Sequence, residues 1–332
     1  QSGISPDILV CRTEHHIGDD IKRKLALFCN VDKESIIESI DANTIYDVPN
    51  LMLHEGLHEV VLNKLDLKAS KKPVLTRWNQ FLHNYKNPEG TVEIGLVGKY
   101  IELQDAYKSI LEALDHAGAH NKLKVNIHPI HSEDLTEQNA AEKLKGLQGL
   151  VVAPGFGDRG IEGKIAAVQY VRENNIPFLG ICLGMQMAVI EYARNVLNLK
   201  NANSTEMSRN TPHPVIDIME DQKMVTEKGG TMRLGAWDCK LEKDSKSFKI
   251  YGKELISERH RHRYEYNNDY LKKLTEAGLI PTGFNPKTGL VEIIEIPTHK
   301  WFIGVQYHPE YKSTVLDPHP LFAAFVLACS EK

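Results

Sequence analysis

At 332 residues, with 42% hydrophobic and 25% charged side chains, the chain is long enough for about two cores and too apolar to be dominated by disorder. A formal charge of −4 gives no field that would gather nucleic acid or an anionic membrane, so small or neutral partners are favoured. Five cysteines (Cys11, Cys29, Cys182, Cys239 and Cys329), odd in number and without C-x-x-C spacing, argue against a disulfide framework or a thiolate zinc site and fit a reducing cytoplasm.

In chain order, Ser2 to Asp7 runs straight into an apolar strand at Ile8 to Cys11, as the interior of a domain does, so truncation is expected. Gln1 to Asp20 has neither a basic n-region nor an apolar h-region, and no apolar run approaches the ~20 residues of a membrane span, which leaves Asn203-Ser204-Thr205 an unused sequon. A helix ending in Leu25-Ala26-Leu27-Phe28-Cys29 and a second from Pro49 to Leu62 complete an α/β fragment over residues 1–67. Within the second helix, His54-Glu55-Gly56-Leu57-His58 matches H-E-x-x-H, but it lacks a third ligand and carries a helix-weakening glycine, so no metal is expected. A basic stretch stopping at Pro73, with an amphipathic helix around Thr76 to Tyr85, reads as an interdomain linker over 68–90.

From 91 to 332 the pattern is that of a second domain. Strands are predicted at Val92–Val97, Leu123–Ile130, Leu150–Ala153 and Pro177–Ile181, with helices at Asp105–Ala117, Glu137–Leu147, Glu162–Asn174 and Leu183–Leu197. Such alternation with apolar strands predicts an α/β fold, a mostly parallel central sheet with helices on both faces. The last third is richer in strand, at Met232–Leu241, Leu290–Ile296 and Phe302–Tyr307, with closing helices at Tyr270–Ala277 and Pro320–Cys329.

The chemistry concentrates at three strand ends. Gly180-Ile181-Cys182-Leu183-Gly184 joins a buried strand to a helix, the layout of a nucleophile elbow with cysteine in the serine position. The helix N-terminus there favours a thiolate. In Gln306-Tyr307-His308-Pro309-Glu310, His308 follows a strand end and Glu310 can fix its tautomer, leaving the other ring nitrogen to exchange a proton with sulfur. Ala153-Pro154-Gly155-Phe156-Gly157 offers backbone N–H groups to an oxyanion.

These residues resemble the class I glutamine amidotransferases, and the whole chain is similar to the C-terminal part of the CTP synthase family. The similarity rests on strings such as Gly98-Lys99-Tyr100-Ile101-Glu102-Leu103, Asn201-Ala202-Asn203-Ser204-Thr205-Glu206, Gly229-Gly230-Thr231-Met232-Arg233-Leu234-Gly235 and Arg259-His260-Arg261-His262-Arg263-Tyr264-Glu265. It implies a flavodoxin-like amidotransferase fold preceded by a fragment of a P-loop-type synthetase domain. It also implies that Cys182 attacks the carboxamide of L-glutamine, that Gly155 and Leu183 hold the oxyanion, and that His308 with Glu310 moves the proton. Phe156, Gln186, Glu206 and Arg263 would line the glutamine pocket. Arg159, Gly160, Glu162, Thr231 and Arg233 would serve GTP activation, and Arg12, Lys24 and Phe28 would lie near nucleotide sites. The complete enzyme would use ATP with Mg to aminate UTP to CTP, respond to GTP, and form tetramers and filaments, with no cofactor resident in this chain. One departure stands out: the family usually has Pro-Gly-Gly-Phe-Gly where Ala153-Pro154-Gly155-Phe156-Gly157 is found, which stiffens the loop. Arg259 to Arg263 could suggest a nucleic-acid patch, but Glu258 and Glu265 and the acidic balance of the chain oppose that. Rival readings are a non-catalytic assembly module and a stand-alone glutaminase or γ-glutamyl hydrolase.

Overall fold

The computed structural model describes residues 3–68, 71, 73–218 and 232–331. The chain folds as two compact units, residues 1–83 and 84–332.

In the first unit, β1 (Leu9–Thr13) leads through α1 (Asp19–Cys29) to β2 (Ile36–Ile40), and the two strands pair in parallel from Leu9↔Ile36 to Thr13↔Ile40. Asp19 and Asp20 in the first turn of α1 complement the helix dipole, and Asn30 ends the helix in the left-handed conformation at φ 53°. The predicted helix over Pro49 to Leu62 is two helices, α2 (Val48–His54) and α3 (Leu57–Lys64). Gly56 separates them at φ 73°, a conformation that glycine adopts without strain and an α-helix cannot continue through. His54 and His58 therefore sit on different helices, which removes the shared face that an H-E-x-x-H site needs. The aromatic core of this unit holds Tyr46 edge-on to Phe81 at 4.9 Å, with the Trp78 indole N–H donating to the Tyr46 carbonyl at 2.8 Å. Trp78 and Phe81 lie on α4 (Thr76–Lys86), the helix expected within the linker.

The second unit is built on a nine-stranded sheet. Its chain order is β3 (Gly90–Gly98), α5 (Lys108–His120), β4 (Leu123–His131), α6 (Ala140–Lys143), β5 (Gly149–Val152), α7 (Ile161–Glu173), β6 (Phe178–Ile181), α8 (Leu183–Asn195), β7 (Asn203–Ser204), β8 (Pro214–Ile218), β9 (Arg233–Leu241), α9 (Lys246–Tyr251), β10 (Leu255–His262), β11 (Tyr264–Tyr266), α10 (Leu271–Glu276), β12 (Ile280–Phe284), β13 (Val291–Glu295), β14 (Phe302–Val305) and α11 (Pro320–Ser330). Strands β4, β3, β5, β6 and β14 are mutually parallel. Beyond β14 the sheet continues through β13, β12, β9 and β10 as an antiparallel wing. A small separate sheet orders β11, β8 and β7.

The inner parallel strands β5, β6 and β14 are apolar at successive positions because both faces are buried, and neighbouring residues serve different cores. Leu150, Val152, Phe178 and Phe302 pack with α7 and α8, whereas Val151, Leu179 and Ile303 pack with α5 and α11. The predicted helix over Glu137 to Leu147 is reduced to the four residues of α6. Ahead of it, Thr136 and Asn139 exchange side-chain-to-backbone hydrogen bonds at 2.8 and 3.3 Å, a local turn that competes with helix.

Candidate active site

The register of the sheet places the elbow. Ile181 pairs with Val305, so β6 and β14 end together at the C-terminal edge, and the Cys182 N–H donates to the Val305 carbonyl at 2.7 Å. Cys182 is buried at φ 52°, ψ −102°, a strained conformation for a residue with a Cβ, between the strand and the first turn of α8. The flanking glycines are a packing requirement: a Cβ on Gly184 would lie 2.2 Å from the Val152 carbonyl oxygen, and one on Gly180 would lie 2.8 Å from the backbone of Gly184.

Beyond β14, the His308 N–H donates to the Arg259 carbonyl at 2.8 Å, which docks this turn on β10. Nδ1 of His308 lies 2.7 Å from Oε1 of Glu310, and both side chains are buried. Burial alone would lower the proton affinity of the imidazole. The nearby Cys182 sulfur, with the charge and hydrogen bond of Glu310, outweighs it and raises the His308 pKa to about 11. With Glu310 on Nδ1, Nε2 is left buried and without a hydrogen-bond partner among the described residues, the ring nitrogen available to exchange a proton with sulfur. The buried His308–Glu310 pair beside an elbow cysteine has the residue types that can take a proton from sulfur and hand it to a leaving group.

Gly155 and Leu183 are neighbours, for a Cβ on Gly155 would come within 3.4 Å of Leu183 Cδ2. Gly157 follows at φ 78°, and its N–H donates to Glu206 at 3.0 Å. Burial raises the Glu206 pKa, opposed by that hydrogen bond and by the charge of Arg263. Glu206 and Arg263 are therefore brought together beside the loop, a pair suited to an amino acid's α-amino and α-carboxylate groups. Phe156 is half exposed. Gln186, on α8, donates to the Tyr264 carbonyl at 2.9 Å and to Gln306 at 3.3 Å.

Four of the five residues assigned to effector binding are described. Arg159 pairs with Glu133 at 2.9 Å and lies over the Tyr100 ring, Gly160 caps α7 at φ 74°, and Glu162 pairs with Arg194 at 2.8 Å. Arg233 is buried, with its two arms on Glu265 at 3.0 Å and Glu292 at 2.7 Å. Thr231 lies outside the described residues. In the first unit, Arg12 pairs with Asp41 at 3.2 Å, while Lys24 and Phe28 are exposed. The basic string over Arg259 to Arg263 is mostly the strand β10, whose alternation turns Arg259 and Arg261 outward and buries His260 and His262.

Two residues that face the elbow were not singled out by sequence. Gln306 is fully buried and its side-chain amide donates to the Cys182 sulfur at 3.7 Å. Lys164 is buried on α7, with its ammonium 3.0 Å from the Ala153 carbonyl. Its signal was a lysine within the apolar stripe Ile161, Ile165 and Val168.

Comparison with known families agrees with this geometry. Residues 102–328 match the model described as glutamine amidotransferase class-I, and residues 1–67 match that described as CTP synthase N-terminus. The chain belongs to the class I glutamine amidotransferase family. Among curated relatives of this amidotransferase, a CTP synthase of Christiangramia forsetii is 65% identical over 331 residues, covering 100% of this chain and 61% of the relative. One of Bacteroides fragilis is 56% identical, covering 99% and 62%. The chain thus spans about three-fifths of the length of the curated relatives it matches. Among solved structures, the Trypanosoma brucei CTPS glutaminase domain with bound acivicin superposes with a TM-score of 0.68 at 40% identity, covering 73% of this chain and 94% of that one. Among the described residues, no helix is long and apolar enough to cross a membrane.

Proposed function

We propose that the second unit hydrolyses L-glutamine through a cysteine thioester and that, within a complete CTP synthase, the released ammonia serves ATP-dependent amination of UTP to CTP. The observation that carries this reading is the buried Cys182 held at a strained elbow, φ 52°, at the end of the strand pair from which the His308–Glu310 pair, 2.7 Å apart, follows. The sulfur adds to the carboxamide carbon while the oxyanion is met by the amides of Leu183 and Gly155. His308 then gives its proton to the departing nitrogen, so ammonia leaves and a glutamyl thioester remains. Water, losing a proton to the same imidazole, adds to the thioester and expels the thiolate as glutamate forms. Gln306 stabilises that thiolate through its amide, and Glu206 with Arg263 orients the amino-acid end of the substrate. Ahead of the amidotransferase the sequence has no G-x-x-x-x-G-K-[ST] loop or other glycine run near a lysine that would cradle a nucleoside triphosphate, and the mechanism assigned to this chain ends at ammonia and glutamate. Involvement of Arg159, Gly160, Glu162, Thr231 and Arg233 in a GTP response, and of Arg12, Lys24 and Phe28 in nucleotide binding, belongs to the same proposal, as does tetramer or filament assembly.

Treating the chain with a glutamine-analogue diazoketone and mapping the adduct by mass spectrometry tests nucleophile and pocket together. Labelling is expected at Cys182 alone and lost in Cys182→Ala; an adduct elsewhere, or a reactive Cys182→Ala chain, would overturn the assignment. Alone, the chain is expected to hydrolyse glutamine slowly and make no CTP from UTP, ATP and glutamine.

A further inference from the structure

We infer that Lys164 is a positioning residue for this site: its buried ammonium props the oxyanion loop from beneath and supplies positive charge to the elbow. The inference rests on the glutaminase reading above and deepens it. Lys164 is 1% exposed, although lysine is among the residues least often buried. Its Nζ donates to the carbonyl of Ala153, the residue that leads into the loop, at 3.0 Å. Nζ also lies 3.7 Å from where a Cβ on Gly155 would stand, so it sits directly behind the backbone whose N–H is assigned to the oxyanion. Among the described residues no ion pair to a carboxylate accompanies it: Glu162 on its own helix is engaged with Arg194, and Glu133 on the neighbouring turn with Arg159. The charged groups that act on it are the Cys182 sulfur, which favours its protonation, and Lys99, which opposes it, while His308 faces the same sulfur.

A buried cation without a carboxylate partner is costly, and the structure offers it one role: favouring negative charge as it develops on sulfur and then on the substrate oxygen. Pro154 is consistent with this. Proline fixes its own φ and has no N–H, so the loop's orientation rests on contacts such as the Ala153 carbonyl to Lys164.

Burial lowers the Lys164 pKa to about 8, and the cation is therefore lost just above neutrality. The test is the pH dependence of glutamine hydrolysis by the unaltered chain, Lys164→Met and Lys164→Arg. In the unaltered chain kcat is expected to fall as pH rises through about 8. In Lys164→Met, kcat should be about tenfold lower at pH 7 with KM unchanged, and the fall near pH 8 should vanish. Lys164→Arg, charged throughout, should regain activity over the methionine variant and keep it above pH 8. A methionine variant with unaltered kcat, or with the same alkaline fall, overturns the inference. Should neither variant fold, lysine-selective carbon-13 NMR of the unaltered chain decides. Alkylating Cys182 with iodoacetamide removes the sulfur's charge and should move the Lys164 titration to lower pH, and an unmoved titration overturns the inference. A chain that hydrolyses no glutamine would instead sink the functional reading, and the NMR result would still judge the link between Lys164 and Cys182.

Discussion

Replacing Arg233 with methionine is expected to be the most destabilising single change in the second unit that touches no proposed reacting group. Its guanidinium is 4% exposed and holds two carboxylates that are themselves 3% and 0% exposed, at 3.0 and 2.7 Å. Deleting one partner of a buried ion pair leaves the other uncompensated, which costs about 3–5 kcal/mol. The cost should depend on pH, in a direction fixed by Glu265. Burial, opposed by Arg233, raises the Glu265 pKa from 4.5 to about 8, so the folded chain keeps a proton that the unfolded chain releases, and stability declines as pH climbs through that window. Without Arg233 the carboxyls lose their counter-charge and hold protons to still higher pH. The penalty should therefore lie near about 3 kcal/mol at pH 6, where Glu265 is already neutral, and near about 5 kcal/mol at pH 9. Urea unfolding followed by tryptophan fluorescence measures it, since Trp237 lies 4.8 Å from the Arg233 guanidinium. A penalty below about 1 kcal/mol, or one that shrinks as pH rises, would refute the reasoning. Because Glu265 lies on β11 two residues after Arg263, the variant should also raise KM for glutamine.

Gly184→Ala should destabilise the second unit by about 2 kcal/mol or more and abolish diazoketone labelling of Cys182. The added methyl would meet the Val152 carbonyl at 2.2 Å and push α8 away from the sheet, which a thermal melt beside the labelling assay would register. Glu310→Gln keeps the hydrogen bond to His308 but removes its charge, and should lower kcat roughly 10²- to 10⁴-fold. The histidine's charge has a definite pH range as well. With a folded pKa near 11 against 6.5 unfolded, His308 contributes stability that is complete below pH 6.5 and lost as pH rises through about 11. Nitrogen-15 NMR of the imidazole should show it protonated from pH 6 to 9, with titration moving downward in Glu310→Gln; a histidine titrating near 6.5 in the unaltered chain would contradict the ion pair.

The parallel half of the sheet was legible in the sequence because its inner strands β5, β6 and β14 are buried on both faces and read as apolar runs between helical periods. Strand β10 was not, for the residues it turns inward include Glu258, His260 and His262, which are held by other polar groups rather than by apolar packing. Alternation in such a strand is hidden from any hydrophobic count. Helix breaks at Gly56 and around Thr136 were missed for a different reason: apolar periodicity persists across them, and only backbone dihedrals and local side-chain bonds decide. In the candidate site, Cys182, His308 and Glu310 could be picked out because each lies in a short local motif. Gln306 and Lys164 meet the elbow only through tertiary packing, from β14's end and from the middle of α7.

The docking of the His308 turn has a further consequence for solubility. Strand β10 is the last in its sheet, and an outermost strand offers free backbone groups on which another chain can template. Here the carbonyl of Arg259 is taken by the His308 N–H and that of Ser257 by the Lys312 ammonium at 2.6 Å, so the segment bearing the proposed general base also seals the sheet's rim. A lesion that loosens this turn would then do more than slow turnover: it would bare a sticky border, and inactive variants of this kind should be recovered disproportionately as aggregates.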